Sequence, residues 1–402
     1  MRFDLIHGDS YVVVARLDEN SVDAIVTDPP YGIGFMGKDW DHGVPSTLFW
    51  KHCLRALKPG GHLLCFAGTR THHRMATAIE DAGFEIRDMI GWTYGSGFPK
   101  SLNVSKAMDK HLGATRGKRR IPQSAVRNQK ATGGGRDGQK GASRPFIEEA
   151  MRRGYHEVDD DTPVTPEAER WDGYGTCLKP AFEPITLARK PLSGTVVQTV
   201  LEHGTGVLNI DGCRVPSNDG ATNFSMKSGP RGGSEKGRFP ANLIHDGSKE
   251  VLSCFPDSKG QQGDVGPLAA TRKPGNNCYG EYGPRPERLK RGDSGSAARF
   301  FYCAKASKRE RGQGNNHPTV KPLALMKHLV TLVAPPEALV LDPFMGSGTT
   351  ALACKSLNRA FIGVELEKAY YNIAVARLQE PIDDIEEPGE TLDAATTQME
   401  LL

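Results

Sequence analysis

Residues 25–32 read IVTDPPYG, an apolar run broken by Asp28, Pro29, Pro30 and Tyr31. Proline has no backbone N–H to give a sheet, its φ is fixed, and it holds the preceding residue extended. The Asp28 carboxylate and the Pro29 carbonyl are therefore two stiff hydrogen-bond acceptors, suited to gripping a polar N–H donor beside the flat ring of Tyr31. A similar pattern returns in VLDPFMGSGTT at 340–350, where Asp342 and Phe344 again follow an apolar run. There Gly346 and Gly348 allow close backbone approach to a ligand at a strand-to-helix turn that also carries Ser347 and Thr349. Any tight turn favours glycine, so the following strand matters. AFIGVE ends on Glu365, about 20 residues on, where an acid meets ribose hydroxyls in nucleotide-binding sheets. No Gly-Lys-Ser/Thr follows, and no complete Gly-x-Gly-x-x-Gly occurs, which disfavours phosphate-cradling loops and pyrophosphate dinucleotides. An adenosyl ligand without pyrophosphate fits, and S-adenosyl-L-methionine is the common one.

Alternating elements must position these residues. RFDLI (2–6) and VDAIVT (22–27) read as short buried strands with a helix from Ser10 between them. A helix over 47–57, a turn at KPGG (58–61), a strand at HLLCFAG (62–68) and a helix-then-strand stretch over 76–92 follow. The expected fold class is α/β, a mostly parallel sheet with covering helices. Between 113 and 170 the pattern dissolves: residues 115–144 hold nine Lys or Arg, one acid and three consecutive glycines, which predicts a flexible basic loop. TVVQTVLEH (195–203) reads as a helix and GVLNIDG (206–212) as a strand, before a long Gly- and Pro-rich region. Periodicity returns with a helix over 321–333, a strand at 338–341, a helix after Thr349, a strand at 360–365 and a helix over 367–380.

The chain has 402 residues and a net charge of +3. Residues 379–402 carry eight acids and no Lys or Arg, so the remainder sets 51 basic against 40 acidic residues, +11. A basic body favours a polyanionic partner. The eight cysteines form no Cys-x-x-Cys pair and the histidines show no ligand spacing, so neither a disulfide framework nor a metal is expected. With no leader and no apolar run near the roughly 20 residues of a membrane helix, a cytoplasmic protein with no membrane partner is expected.

Asp28-Pro29-Pro30-Tyr31 together with Asp342-Pro-Phe344-x-Gly346-x-Gly348 resembles the exocyclic-amino DNA methyltransferases. HPTVKP (317–322) is similar to the third piece of that family's cofactor site, although alone it would read as a helix entry with Pro322 in the first turn. The order of the pieces resembles the β group, a circularly permuted Rossmann-like methyltransferase fold with a large irregular target-recognition insertion. DPPYGIGFMGKDWD (28–41), LKPAFEPITLARKPL (178–192) and FFYCAKASKRER (300–311) resemble the phage and prophage subset.

The resemblance implies a catalytic half at 1–112, the basic loop at 113–170, a target-recognition region at 171–314, a cofactor half at 315–380 and an acidic tail at 381–402. It implies catalytic Asp28, Pro29, Pro30 and Tyr31, the last stacking a base flipped out of double-stranded DNA. Asp9 is implied to meet the cofactor adenine, with Asp342, Phe344, Gly346, Ser347, Gly348, Thr349 and Glu365 completing the adenosyl site. Thr319 and Lys321 are implied to hold the methionine end, the ammonium facing its carboxylate. Adenine N6 is the expected target because members with Asp first mostly act on adenine, with N4-cytosine as the alternative and an inactive DNA-binding homologue as a remote one. Protein and RNA methyltransferases with a similar turn carry the glycine motif first, the reverse order. Phe35, Asp39 and Trp40 are candidates for the base pocket, and Trp92, Tyr94 and Phe98 for the flipped strand. A homodimer and a cognate restriction endonuclease are the partners implied beyond DNA.

Overall fold

The structure is a computed structural model that describes residues 2–34, 41, 43–99, 101–122, 152–216, 237–258, 295–304, 315, 317 and 319–380. Phe35, Asp39, Trp40, most of the basic loop and the acidic tail lie outside the described residues. The chain divides into two compact units, Met1–Gly95 with Phe182–Leu402, and Ser96–Ala181.

The larger unit is built on one nine-stranded sheet. Strand β1 (Phe3–His7) leads to helix α1 (Ser10–Ala15), β2 (Val22–Thr27), α2 (Thr47–Ala56), β3 (Leu57–Phe66), α3 (His72–Asp81) and β4 (Glu85–Thr93). The C-terminal part contributes α8 (Leu323–Val333), β12 (Leu339–Asp342), α9 (Thr349–Ser356), β13 (Ala360–Glu365) and α10 (Lys368–Gln379). Between them come β7 (Phe182–Arg189), α6 (Val196–His203), β8 (Leu243–His245), α7 (Lys249–Leu252), the short pair β9 (Asp257–Ser258) and β10 (Gly295–Ser296), and β11 (Tyr302–Cys303). The sheet order is β1-β13-β12-β2-β3-β7-β4-β8-β11, with β7 antiparallel to both its neighbours and every other pairing parallel.

Strands from both ends of the chain interleave, because β12 of the C-terminal half slots beside β2 and β13 beside β1. The carboxyl ends of β1, β13, β12 and β2 therefore share one edge, which brings together residues more than 300 positions apart. Period-two alternation explains the burial: Ala24 and Val26 face one core with Leu64, Phe66, Val340 and α8, while Ile25 faces the other with Leu63, Leu341, Phe49 and Trp50. Ser46 caps α2 by accepting from the Phe49 N–H, and the helix buries Phe49, Trp50, Cys53 and Ala56 on one stripe. Burying a side chain of that size contributes about 1.5–3 kcal/mol. Among the described residues no helix is long and apolar enough to cross a membrane.

Three local expectations differ. KPGG lies inside β3, where the β2 register shifts between Val22 and Ala24; the turn signal is absorbed as a sheet irregularity. GVLNIDG forms no strand: the Asn209 N–H bonds Leu332 O and the chain closes into a single 3₁₀ turn at Asp211–Cys213. The sequence pattern announces no strand at 182–189, yet β7 forms there as the antiparallel member between β3 and β4.

The described ends of the expected loop, 113–122 and 152–170, carry secondary structure, and the stretch between them lies outside the described residues. Helix α4 (Val104–His111), strands β5 (Lys118–Pro122) and β6 (Tyr155–Asp159), which pair antiparallel, and helix α5 (Pro166–Arg170) fall in the smaller unit. Its boundaries, 96 and 181, do not coincide with the expected ones at 112 and 170. Among the described residues of this unit a polar knot is the main buried feature. Buried Asp109 accepts from Arg116 Nε at 2.7 Å, from the Thr165 hydroxyl at 2.7 Å and from the backbone N–H groups of Thr165 and Val164. Those hydrogen bonds outweigh burial and pull the Asp109 carboxyl down to about 2.

Candidate active site

Asp28 follows the last residue of β2, and the two prolines end the strand there. The Tyr31 hydroxyl donates to Asp28 Oδ1 at 2.7 Å. Lys321 Nζ stands 2.9 Å from Asp28 Oδ2, 2.9 Å from Glu183 Oε2 and 3.2 Å from the Tyr31 oxygen. Tyr94 donates its hydroxyl to Glu183 Oε1 at 3.1 Å. Burial raises the Tyr31 and Tyr94 hydroxyls above their ordinary range, with the carboxylates reinforcing the shift, so both rings are neutral donors. Burial opposes the charge on Lys321, but Asp28 and then Glu183 outweigh it and hold the ammonium protonated.

Lys321 was expected to face a carboxylate of the cofactor. Its ammonium instead lies among three protein oxygens, with the Phe66 ring centroid 4.8 Å away. Pro322, the next residue, is the N-cap of α8, so the lysine immediately precedes the helix entry.

The loop after Tyr31 is fastened from behind. Asp41 is buried and accepts from the Gly32 N–H at 2.7 Å and the Ile33 N–H at 3.3 Å. Gly32 adopts φ +66°, and a Cβ there would lie 2.9 Å from the Gly43 backbone.

Asp342 ends β12 next to β2 and is almost fully buried. It accepts from Thr27 Oγ1 at 2.7 Å, Thr350 Oγ1 at 2.5 Å and the Phe344 N–H at 3.1 Å, tying β2, the glycine turn and α9 together. Burial raises its carboxyl to about 6 against those bonds. Phe344 leans on Phe49, ring centroids 5.2 Å apart. Gly346 (φ +52°) and Gly348 (φ +82°) need the left-handed region, and an added Cβ would lie 2.9 Å from His317 Nε2 and from Ala374 Cβ respectively. Glu365 accepts from the Gly346 N–H at 2.9 Å and the Glu367 N–H at 2.7 Å, and burial raises it to about 7.

The remaining expected residues divide. Asp9 is exposed at the end of β1 and caps α1 through the Tyr11 N–H at 2.8 Å. Ser347 and Thr349 turn inward, where Arg377 Nη1 reaches the Ser347 carbonyl at 2.6 Å and both hydroxyls at 3.2 Å. Thr319 is exposed and its N–H donates to His317 Nδ1 at 3.3 Å. Trp92 and Tyr94 stack beside the Lys321 cluster, ring centroids 4.7 Å apart. Sequence reasoning gave no role to Glu183, Thr27, Asp41, His317 or Arg377. Glu183 left a signal, an acid inside the apolar run AFEPITLA, while Asp41 and His317 fall inside the DPPYGIGFMGKDWD and HPTVKP segments without a role of their own.

The edge fits S-adenosyl-L-methionine. Asp9, Asp342 and Glu365 follow or close three of its strands, the buried glycine turn leads from β12 into α9 beside them, and Asp28 with Glu183 set two acids against the one ammonium of Lys321, which suits a sulfonium. When bound, that cofactor supplies an electrophilic methyl group.

A family model described as a DNA methylase, of the N6/N4 methyltransferase type, matches residues 22–376. The type II methyltransferase M.HindIII of Haemophilus influenzae is 24% identical over 420 residues, covering 93% of this chain and 94% of that protein. M.ScaI of Streptomyces caespitosus is 36% identical over 80 residues, 20% of this chain and 26% of that protein. Of the solved structures, the PvuII DNA methyltransferase, described as cytosine-N4-specific, is 14% identical with a TM-score of 0.42 over 94% of this chain and 87% of its own. M1.HpyAVI in complex with S-adenosylmethionine is 17% identical with a TM-score of 0.41 over 94% of this chain and 100% of its own. Since the family match runs from the strand that delivers Asp28 into the last helix, this chain belongs to the N6/N4 family of S-adenosyl-L-methionine-dependent DNA methylases.

Proposed function

We propose that the protein methylates the exocyclic N6 of adenine at a short specific site in duplex DNA. The observation that carries this reading is Asp28, a carboxylate held between the Tyr31 hydroxyl and the Lys321 ammonium on the strand next to the glycine turn.

An exocyclic amine is a poor nucleophile because its lone pair is delocalised into the ring. Asp28 and the Pro29 carbonyl each accept one of its N–H bonds, which favours a more tetrahedral nitrogen whose lone pair points out of the ring plane. Among the described residues each Asp28 oxygen has one hydrogen-bond partner, the Tyr31 hydroxyl or the Lys321 ammonium, which leaves each a lone pair for this task. An amine that takes up a methyl group gains positive charge and sheds a proton, for which Asp28 would be the nearby acceptor. Pro30 keeps the mount rigid, and Tyr31 offers a stacking face to the flipped base. Asp9, Phe344, the Gly346–Gly348 backbone and Glu365 hold the adenosyl part, with Asp342 fixing the turn and Ser347 and Thr349 anchoring it through Arg377. Thr319 serves the methionine end.

Asp at the first motif position supports adenine over cytosine. Exposed Lys118, Arg119 and Arg120 on β5 support contact with a phosphate backbone. A homodimer and a cognate restriction endonuclease complete the proposal on family resemblance alone. Incubation with mixed-sequence duplex DNA and S-adenosyl-L-methionine, followed by mass spectrometry of the nucleosides, should give N6-methyl-2′-deoxyadenosine; N4-methyl-2′-deoxycytidine alone would refute the base assignment.

A further inference from the structure

Glu183 is an acid at the start of a largely apolar, buried strand, and its side chain is 17% exposed. Its Oε2 lies 2.9 Å from Lys321 Nζ and 3.3 Å from the Tyr31 oxygen, while Oε1 accepts from Tyr94. Asp28 stands at the same 2.9 Å on the ammonium's other flank. One buried cation is therefore shared by two carboxylates. Taking an additional charge out of water is costly, and a single carboxylate already suffices to neutralise one lysine. The second carboxylate needs a chemical reason.

The geometry points to Glu183 as a positioning residue for methyl transfer: it draws the Lys321 ammonium away from Asp28, leaving Asp28 a lone pair and negative charge for the amine of the target base. Lysine carries three N–H donors, and here they have Asp28, Glu183 and the Tyr31 oxygen within reach. Without Glu183 the ammonium closes on Asp28 and competes for the oxygens that must accept the amine. This inference rests on the DNA-methylation reading and extends it to a residue on a strand distant from both motifs.

The groups that face Lys321 are Asp28 after β2, Tyr31 in the following loop, Glu183 on β7 and Tyr94 after β4, with Cys65 and Asp342 behind Asp28. Burial opposes the ammonium's charge and the two carboxylates restore it, so removing Glu183 lets Lys321 lose its proton at a lower pH.

The test uses the full chain with Glu183→Gln, which keeps the side-chain shape. Under single-turnover conditions with saturating cofactor, the methylation rate should fall at least about tenfold while the cofactor Kd moves by less than about threefold. Because a neutral Lys321 no longer competes for Asp28, the deficit of Glu183→Gln should shrink toward alkaline pH, which a purely structural role would not cause. In a Lys321→Met background the same substitution should cost less than about twofold, because Glu183 acts through the lysine. A wild-type rate in Glu183→Gln, or an undiminished loss in the Lys321→Met background, overturns the inference. Should the wild-type protein transfer no methyl group to DNA, the function proposal fails by itself. The inference is then decided by nitrogen-15 NMR of the lysine ammonium groups: the Lys321 titration midpoint falls in Glu183→Gln if it is right and stays put if it is wrong.

Discussion

Replacing Asp28 with alanine separates catalysis from folding and from cofactor binding. The substitution deletes a carboxylate whose side chain is 20% exposed, but it does not strand Lys321, which keeps Glu183 at 2.9 Å and the Tyr31 oxygen at 3.2 Å. Tyr31 also retains Glu183 within 3.3 Å. The folding cost is therefore that of charge-assisted hydrogen bonds, about 1.5–3 kcal/mol, rather than that of a buried unpaired ion. The reacting amine, in contrast, loses one of its two acceptors. Deleting a preorganised electrostatic partner of a reacting group lowers kcat by about 10²–10³. Single-turnover methylation measured beside calorimetric cofactor titration should show that loss, with the cofactor Kd unchanged within about threefold. A Kd that rises by as much as the rate falls moves Asp28 into the cofactor site and refutes the assignment.

Two further outcomes follow from the glycine turn and the acid beside it. Gly348→Ala meets Ala374 Cβ at 2.9 Å in a left-handed conformation and should cost about 1–3 kcal/mol with weaker cofactor binding, whereas Gly204→Ala, left-handed but in open space, should cost only about 1 kcal/mol, both read by urea unfolding. Burial raises Glu365 from 4.5 to about 7 in the folded protein, so the folded state holds a proton that the unfolded chain has lost and stability falls as pH rises from 4.5 to 7. Glu365→Gln should remove about 2–3 kcal/mol of that fall; an equal pH dependence in wild type and variant would contradict the burial assigned to this carboxyl.

The sheet was legible because its strands carry simple patterns. VDAIVT and AFIGVE are apolar enough to be buried on both faces, and each ends on or just before an acid. The permuted order of the two motifs agrees with the pairing of β12 with β2, which puts Asp28 and Asp342 on one edge. Three features stayed hidden for physical reasons. Glu183 lies on a strand whose antiparallel insertion between β3 and β4 no local signal encodes. In the Ser96–Ala181 unit the described residues are tied together by the polar contacts of Asp109, which hydrophobic periodicity does not announce. The protein partners of Lys321 were not legible, because they come from β7 and from the end of β2, 138 and 293 positions upstream.

The central claim is that a methyl group passes from S-adenosyl-L-methionine to the adenine amine gripped by Asp28. Supplying the cofactor with an isotopically labelled methyl group, incubating with mixed-sequence duplex DNA and locating the label among the separated nucleosides tests it most directly. The account predicts label on N6 of 2′-deoxyadenosine; label confined to 2′-deoxycytidine, or absent from every nucleoside, would contradict it.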